Sequence, residues 1–176
     1  MKRFFELLLF LFCASTLSAA DFRMDISGLK GATLKPVSAS DEVSVIQASW
    51  RGKQKDQHLS CTVTVGKEWK KYSFSFMAKQ SGKFNLSIMS TKPKDFIDCD
   101  NVTAAGVELK NGNFEQLNSK GEPANWIKMK NSRISASGGV DDSKYVSTTH
   151  DDRWMQTISC KKGESVTITF YARSAK

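Results

Sequence analysis

Two histidines and two pairs of adjacent carboxylates are the residues of this 176-residue chain that could do acid–base work, and their setting argues against it. His58 and His150 lie in polar segments, and neither is framed by the Gly-x-Ser-x-Gly or His-Glu-x-x-His spacing that holds a nucleophile or a metal. Asp141-Asp142 and Asp151-Asp152 could supply two carboxylates for glycoside hydrolysis, but neighbouring acids in loops are ordinarily solvated turn residues. Cys61, Cys99 and Cys160 show no Cys-x-x-Cys or Cys/His spacing, so a zinc site is not indicated. These residues point away from an enzyme. The aromatic residues offer a different chemistry. Trp50 ends an alternating run with Gln47 and Arg51 beside it, and Trp154 opens one with Arg153 and Gln156 beside it. A flat ring framed by amide and charged side chains is what a ring-shaped, polar ligand can stack on, so Trp154, Trp50, Arg153 and Gln156 are candidate ligand-binding residues. Tyr145 is a further candidate of the same kind, and packing at a strand end is the alternative for each ring.

The elements that must position these rings are strands. From Asp21 onward, apolar and polar residues alternate with a period of two, and no stretch has a helical period. Phe22, Met24 and Ile26 form one such run, Leu59, Cys61, Val63 and Val65 a second, and Phe84, Leu86 and Ile88 another. Trp69, Tyr72, Phe74 and Phe76 are the strongest strand signal, because aromatic side chains bury large areas. Ten to twelve short strands without helices, punctuated by turns such as Gly66-Lys67, Ser81-Gly82 and Gly138-Gly139, are expected to form an all-β sandwich.

Residues 1–20 begin Met1-Lys2-Arg3, continue through an apolar run from Phe4 to Cys13 and end in Ser18-Ala19-Ala20, which predicts a cleaved signal peptide and a secreted or periplasmic protein. That run is too short to span a bilayer, and no other stretch is apolar enough, so no membrane span is expected. Losing Lys2, Arg3 and Glu6 lowers the formal charge of +8 by one, to about +7. The lysines are scattered along the chain, which favours soluble strands with protected edges over nucleic-acid binding. Three cysteines remain, so at least one is unpaired within the chain, and which of them pair is not readable from spacing.

Asn111-Gly112-Asn113-Phe114-Glu115, followed by a polar loop and Gly121-Glu122-Pro123-Ala124-Asn125-Trp126, resembles the opening of the family-4/9-type carbohydrate-binding modules. Trp154-Met155-Gln156-Thr157-Ile158 and Thr169-Phe170-Tyr171-Ala172-Arg173 match the strands that follow it in that family. The strands of the later half are matched by the run from Trp69 to Phe76 and by Ile97-Asp98-Cys99-Asp100-Asn101-Val102, but these lie upstream of Asn111. The resemblance therefore covers the chain in permuted order, with residues 21–110 matching the later half and residues 111–176 the opening half. One circularly permuted domain over residues 21–176 is the favoured organisation, since termini that lie close in space make permutation cheap. A piece of a tandem array, cut within two modules, is the other. A permuted chain can close on itself as a monomer or complete its sandwich in a strand-exchanged dimer.

The resemblance implies a galactose-binding-like β-jelly roll that binds a glycan or polysaccharide without catalysis. It also implies a structural calcium ion held by Glu115 and Asp98, with Asn113 or Asp100 assisting, and places Trp126 and Trp69 in the core. The alternatives are a structural, adhesion or protein-interaction module of the same fold that binds no sugar, and a remnant of a larger multi-modular glycoside hydrolase.

Overall fold

Period-two alternation produces strands throughout, and two sheets bury the apolar sides against each other. The computed structural model describes residues 19–38, 40–53 and 56–175. Thirteen strands run through them: β1 (Ala20–Ser27), β2 (Ala32–Lys35), β3 (Val43–Val45), β4 (Ala48–Arg51), β5 (His58–Val65), β6 (Lys70–Ala78), β7 (Gly82–Ser90), β8 (Ile97–Ala105), β9 (Ile127–Lys128), β10 (Arg133–Ser135), β11 (Tyr145–Thr148), β12 (Trp154–Cys160) and β13 (Ser165–Ser174). The only helical segment among the described residues is a 3₁₀ turn at Val140–Asp142. The first sheet has the order β4-β5-β1-β7-β12-β9, and the second β10-β11-β8-β13-β6-β2, with β3 also paired to β6. Every pairing is antiparallel except that of β3 with β6. The expected all-β sandwich is thus the fold found.

The core lies where the in-phase side chains meet. Phe22, Met24 and Ile26 from β1 and Leu86 and Ile88 from β7 face Phe74 and Phe76 from β6 and Ile168 and Phe170 from β13, and all are essentially buried. Phe22 stacks on Phe170 across the two sheets at 4.7 Å between centroids. Each such side chain contributes about 1.5–3 kcal/mol by leaving water. Both parts of the chain supply both sheets: β9 and β12 complete the first, while β10, β11 and β13 complete the second. Neither residues 21–110 nor residues 111–176 enclose a core of their own here.

The junction between those parts is tight. β8 runs on to Asn111, and Val102 donates its amide to the carbonyl of Gly112 at 2.8 Å. Asn111 fastens the loop that follows: its side chain donates to the carbonyls of Gln116 and Ala124, accepts from the Gln116 amide, and its own carbonyl accepts from the Trp126 indole. Phe114, fully buried in a left-handed conformation (φ 58°), packs on Trp126 at 5.2 Å. A Cβ at Gly112 would run into the carbonyl oxygen of Val102, so only glycine allows this approach. Gly112→Ala is expected to lower stability by about 1–3 kcal/mol, read as an earlier urea midpoint with an unchanged slope. A wild-type midpoint would show that the contact is not tight.

Candidate functional site

The five expected sugar-binding residues do not gather in one place. Trp154 and Trp50 lie in the same sheet with β5, β1 and β7 between them. Trp154 is a core residue, 1% exposed, and its indole donates to the Arg133 carbonyl at 3.3 Å. A ring that stacks on a ligand must stand at the surface, and the expectation that Trp154 does so is corrected here. Its register opposite Ile88 puts it in phase with Ile158, on the inward side of β12. Gln156 shares that phase and is also buried, accepting from the Lys110 amide and donating to the Lys110 carbonyl, each at 2.8 Å. It acts as a strand partner for the segment leading to Asn111. Arg153 is half-buried on the outward side, its Nε against the Met129 sulfur at 3.2 Å.

Tyr145 and Trp69 form a second aromatic group on the outer face of the second sheet. Trp69, expected in the core, is out of phase with Tyr72, Phe74 and Phe76 and stands half-buried on that face, its indole donating to the Gly138 carbonyl. Tyr145 meets it edge-on at 5.5 Å. The Arg173 guanidinium lies over both rings, 4.3 Å from Trp69 and 5.0 Å from Tyr145, and its Nε donates to Asp98 at 2.9 Å. Asp98 is 2% exposed and also accepts from the Ser147 hydroxyl at 2.6 Å. With Arg173 8% exposed, this is a desolvated ion pair clad in two half-buried aromatic rings, one face of each taken by the guanidinium.

The calcium expectation is weighed against the donors around each carboxylate. Glu115 accepts from both the amide and the ammonium of Lys144 at 2.7 Å, and these contacts hold its carboxyl below the usual carboxylate range. Asp98 holds Arg173. Each carboxylate thus already carries a protein cation, and the pair does not fit a shared metal ion. Asn113 turns its side-chain oxygen back to the Glu115 amide. Asp100, fully buried, accepts from the amides of Val140 and Asn101 and from the Ser143 hydroxyl, and burial raises its carboxyl above the ordinary value. Among the described residues no group of three or more histidine, cysteine or acidic side chains is arranged to hold a metal. The melting temperature is expected to be the same with calcium and with a chelator. A rise with calcium would mean that the ion displaces Lys144 from Glu115.

Trp50 remains as the aromatic candidate at an open site. It is half-buried, rests one side on the core and lines a cleft of about 580 Å³ with Leu29, Lys30, Asp56, Gln57 and Ser27. The cleft lies at the end of the first sheet, and its lining mixes an aromatic residue with residues of both charges and an amide.

Ser27 also belongs to the outer face of that sheet, where the phase opposite to the core places Arg23 and Asp25 on β1, His58 and Ser60 on β5, and Ser87 and Met89 on β7. The middle of this face is covered: Ser60, Asp25, Ser87 and Met89 are at most 5% exposed, while Ser49, Arg51 and Thr62 on one side and Thr157 and Ile127 on the other stand in solvent. Arg23 lies over it, 2.8 Å from Asp25 and 3.3 Å from the Met89 sulfur, and His58 Nε2 is 3.3 Å from the same Asp25 oxygen. Three polar atoms of this patch, Asp25 Oδ1, Ser60 Oγ and Arg23 Nε, are buried without a hydrogen-bond partner. This cluster was not foreseen, since it depends on the pairing of Asp25 with Ser60 across β1 and β5. The three cysteines are all buried and free; burial, then the Asp25 charge, pushes the Cys61 thiol up to about 12.

Comparison with protein-family models, with curated proteins and with solved structures returned no match. The expected leader falls almost wholly outside the described residues; Ala20, its last residue, is the first of β1 and pairs with Val65. No helix among the described residues is long and apolar enough to cross a membrane.

Proposed function

We propose that this protein is an exported, non-catalytic glycan-binding module, a circularly permuted jelly roll whose ligand lies in the Trp50 cleft at the end of the first sheet. The observation that carries this reading is the cleft itself, in which one half-buried indole is framed by Lys30, Asp56 and Gln57. The apolar face of a sugar ring stacks on the indole, and the ammonium, carboxylate and carboxamide take its hydroxyls. Rigid strands hold these groups in place before binding, so little rearrangement opposes association.

Trp50→Ala is expected to weaken retention in affinity electrophoresis by about 2 kcal/mol, roughly thirty-fold, on whichever polysaccharide the wild type binds. Equal retention by the variant would remove the cleft from the reading. The burial of Trp154 and the covered rings of Trp69 and Tyr145 favour a second reading, an adhesion or spacer module without sugar affinity. Under that reading the wild type is retained on no polysaccharide.

A further inference from the structure

We infer that the outer face of the first sheet selects an acidic polysaccharide, a chain of sugar rings bearing carboxylate or sulfate groups, through the buried Arg23, Asp25 and Ser60 as its floor and the unpaired cations around them as its rim. This rests on the glycan-binding reading above and names the ligand class.

The floor supplies the hydroxyl chemistry. An orphaned acceptor, Asp25 Oδ1, an orphaned donor, Arg23 Nε, and a hydroxyl that can act as either, Ser60 Oγ, are all buried in one cluster. Leaving such atoms unpaired costs about 1–3 kcal/mol each, a cost that an incoming group relieves. A sugar hydroxyl fits this set, since its oxygen accepts from Arg23 while its proton goes to Asp25 or Ser60. A bare anion does not, because it has no proton for the carboxylate. Arg23 is the uppermost of the three, and its side chain shifts to admit the ring, keeping Asp25 within reach and exchanging its contact with the Met89 sulfur for one with the ligand.

The rim supplies the charge preference. Arg51 on β4, Lys83 on β7 and Arg153 just before β12 all take the outward phase of this sheet, and none has a carboxylate within ion-pair distance among the described residues. Against these three and Arg23 stand two acids in the same phase, Asp21 and Asp25. Asp21 accepts from the Thr64 hydroxyl, and Asp25 is engaged by Arg23 and His58. The face is therefore net positive around a floor built for hydroxyls, and a polymer offering both hydroxyls and negative charge satisfies both.

The test is binding of the full-length secreted protein, by calorimetry at 150 mM salt, to polygalacturonate, dextran sulfate, unsubstituted dextran and polyglutamate of similar length. A carboxylated or a sulfated glycan, and which of the two the first pair of titrations decides, is expected to bind at least about ten-fold tighter than both dextran and polyglutamate. Ser60→Ala, which removes an unpaired buried hydroxyl without opening a large cavity, is expected to weaken that binding about five-fold while raising the melting temperature of the free protein. Arg51→Gln together with Arg153→Gln is expected to abolish the preference over dextran. Equal binding of polyglutamate would show adsorption by charge alone and overturn the inference, as would wild-type affinity in Ser60→Ala. Binding of dextran but not of either acidic polymer would overturn it while leaving the glycan-binding reading intact, and Trp50→Ala would still report on that reading. Binding of no polymer would overturn both.

Discussion

Trp154→Ala is expected to cost about 3–5 kcal/mol and to leave a chain that is largely unfolded at 37 °C if its total stability is at the low end of the usual range. The side chain is 1% exposed and sits where β12 joins β7, so its removal leaves a cavity that rigid strands on either side cannot close. The loss also strands the Arg133 carbonyl, which accepts the indole proton and helps fasten β10 to the sandwich. Trp154→Phe keeps most of the volume and is expected to cost less than half as much. Urea unfolding followed by circular dichroism separates the outcomes. A variant within 1 kcal/mol of wild type would place this ring at the surface and return it to the list of ligand-stacking residues.

The second large effect is expected at the Asp98–Arg173 pair. Arg173→Met leaves Asp98 desolvated with only the Ser147 hydroxyl, and breaking a buried pair from one side costs about 3–5 kcal/mol. Trp69 and Tyr145 lose the cation that lies over them, and with it a further contribution of about 1 kcal/mol. The double variant Asp98→Asn, Arg173→Met is expected to recover at least half of that loss, because no charge is then left unpaired in the interior. If the double variant is as unstable as the sum of the two single variants, the pair is not coupled and the aromatic packing alone explains the cost. The experiment also bears on the calcium expectation, since Asp98 freed by Arg173→Met is the form best able to take a metal ion.

The phase of alternation carried most of the fold. Phe22, Met24 and Ile26, Leu59 and Cys61, and Phe84, Leu86 and Ile88 are all inward residues, as their spacing indicated. The same phase held information about the tryptophans. Trp154 is in step with Ile158 and goes inward, while Trp69 is out of step with Tyr72 and Phe74 and goes outward, so counting by two corrects both expectations. What no local pattern could reveal is which residues become neighbours through strand pairing. Asp25 meets Ser60 because β1 lies beside β5, and Asp98 meets Arg173 because β8 lies beside β13, in each case across dozens of residues. The match of Glu115 and Asp98 to metal-holding positions was likewise blind to Lys144 and Arg173, which arrive from other strands and loops. Trp50 was legible as a candidate because it ends a strand beside a polar loop, and the structure adds Lys30, Asp56 and Gln57 to it.

The most direct test is thermal unfolding of the purified protein, wild type and Trp50→Ala in parallel, against a panel of soluble neutral and acidic polysaccharides. A ligand that binds only the folded state raises its melting temperature by mass action. A single cooperative transition is predicted, raised by at least one polysaccharide in the wild type and clearly less in Trp50→Ala. A transition that no polysaccharide moves, or one moved equally in both proteins, would contradict glycan binding at the Trp50 cleft.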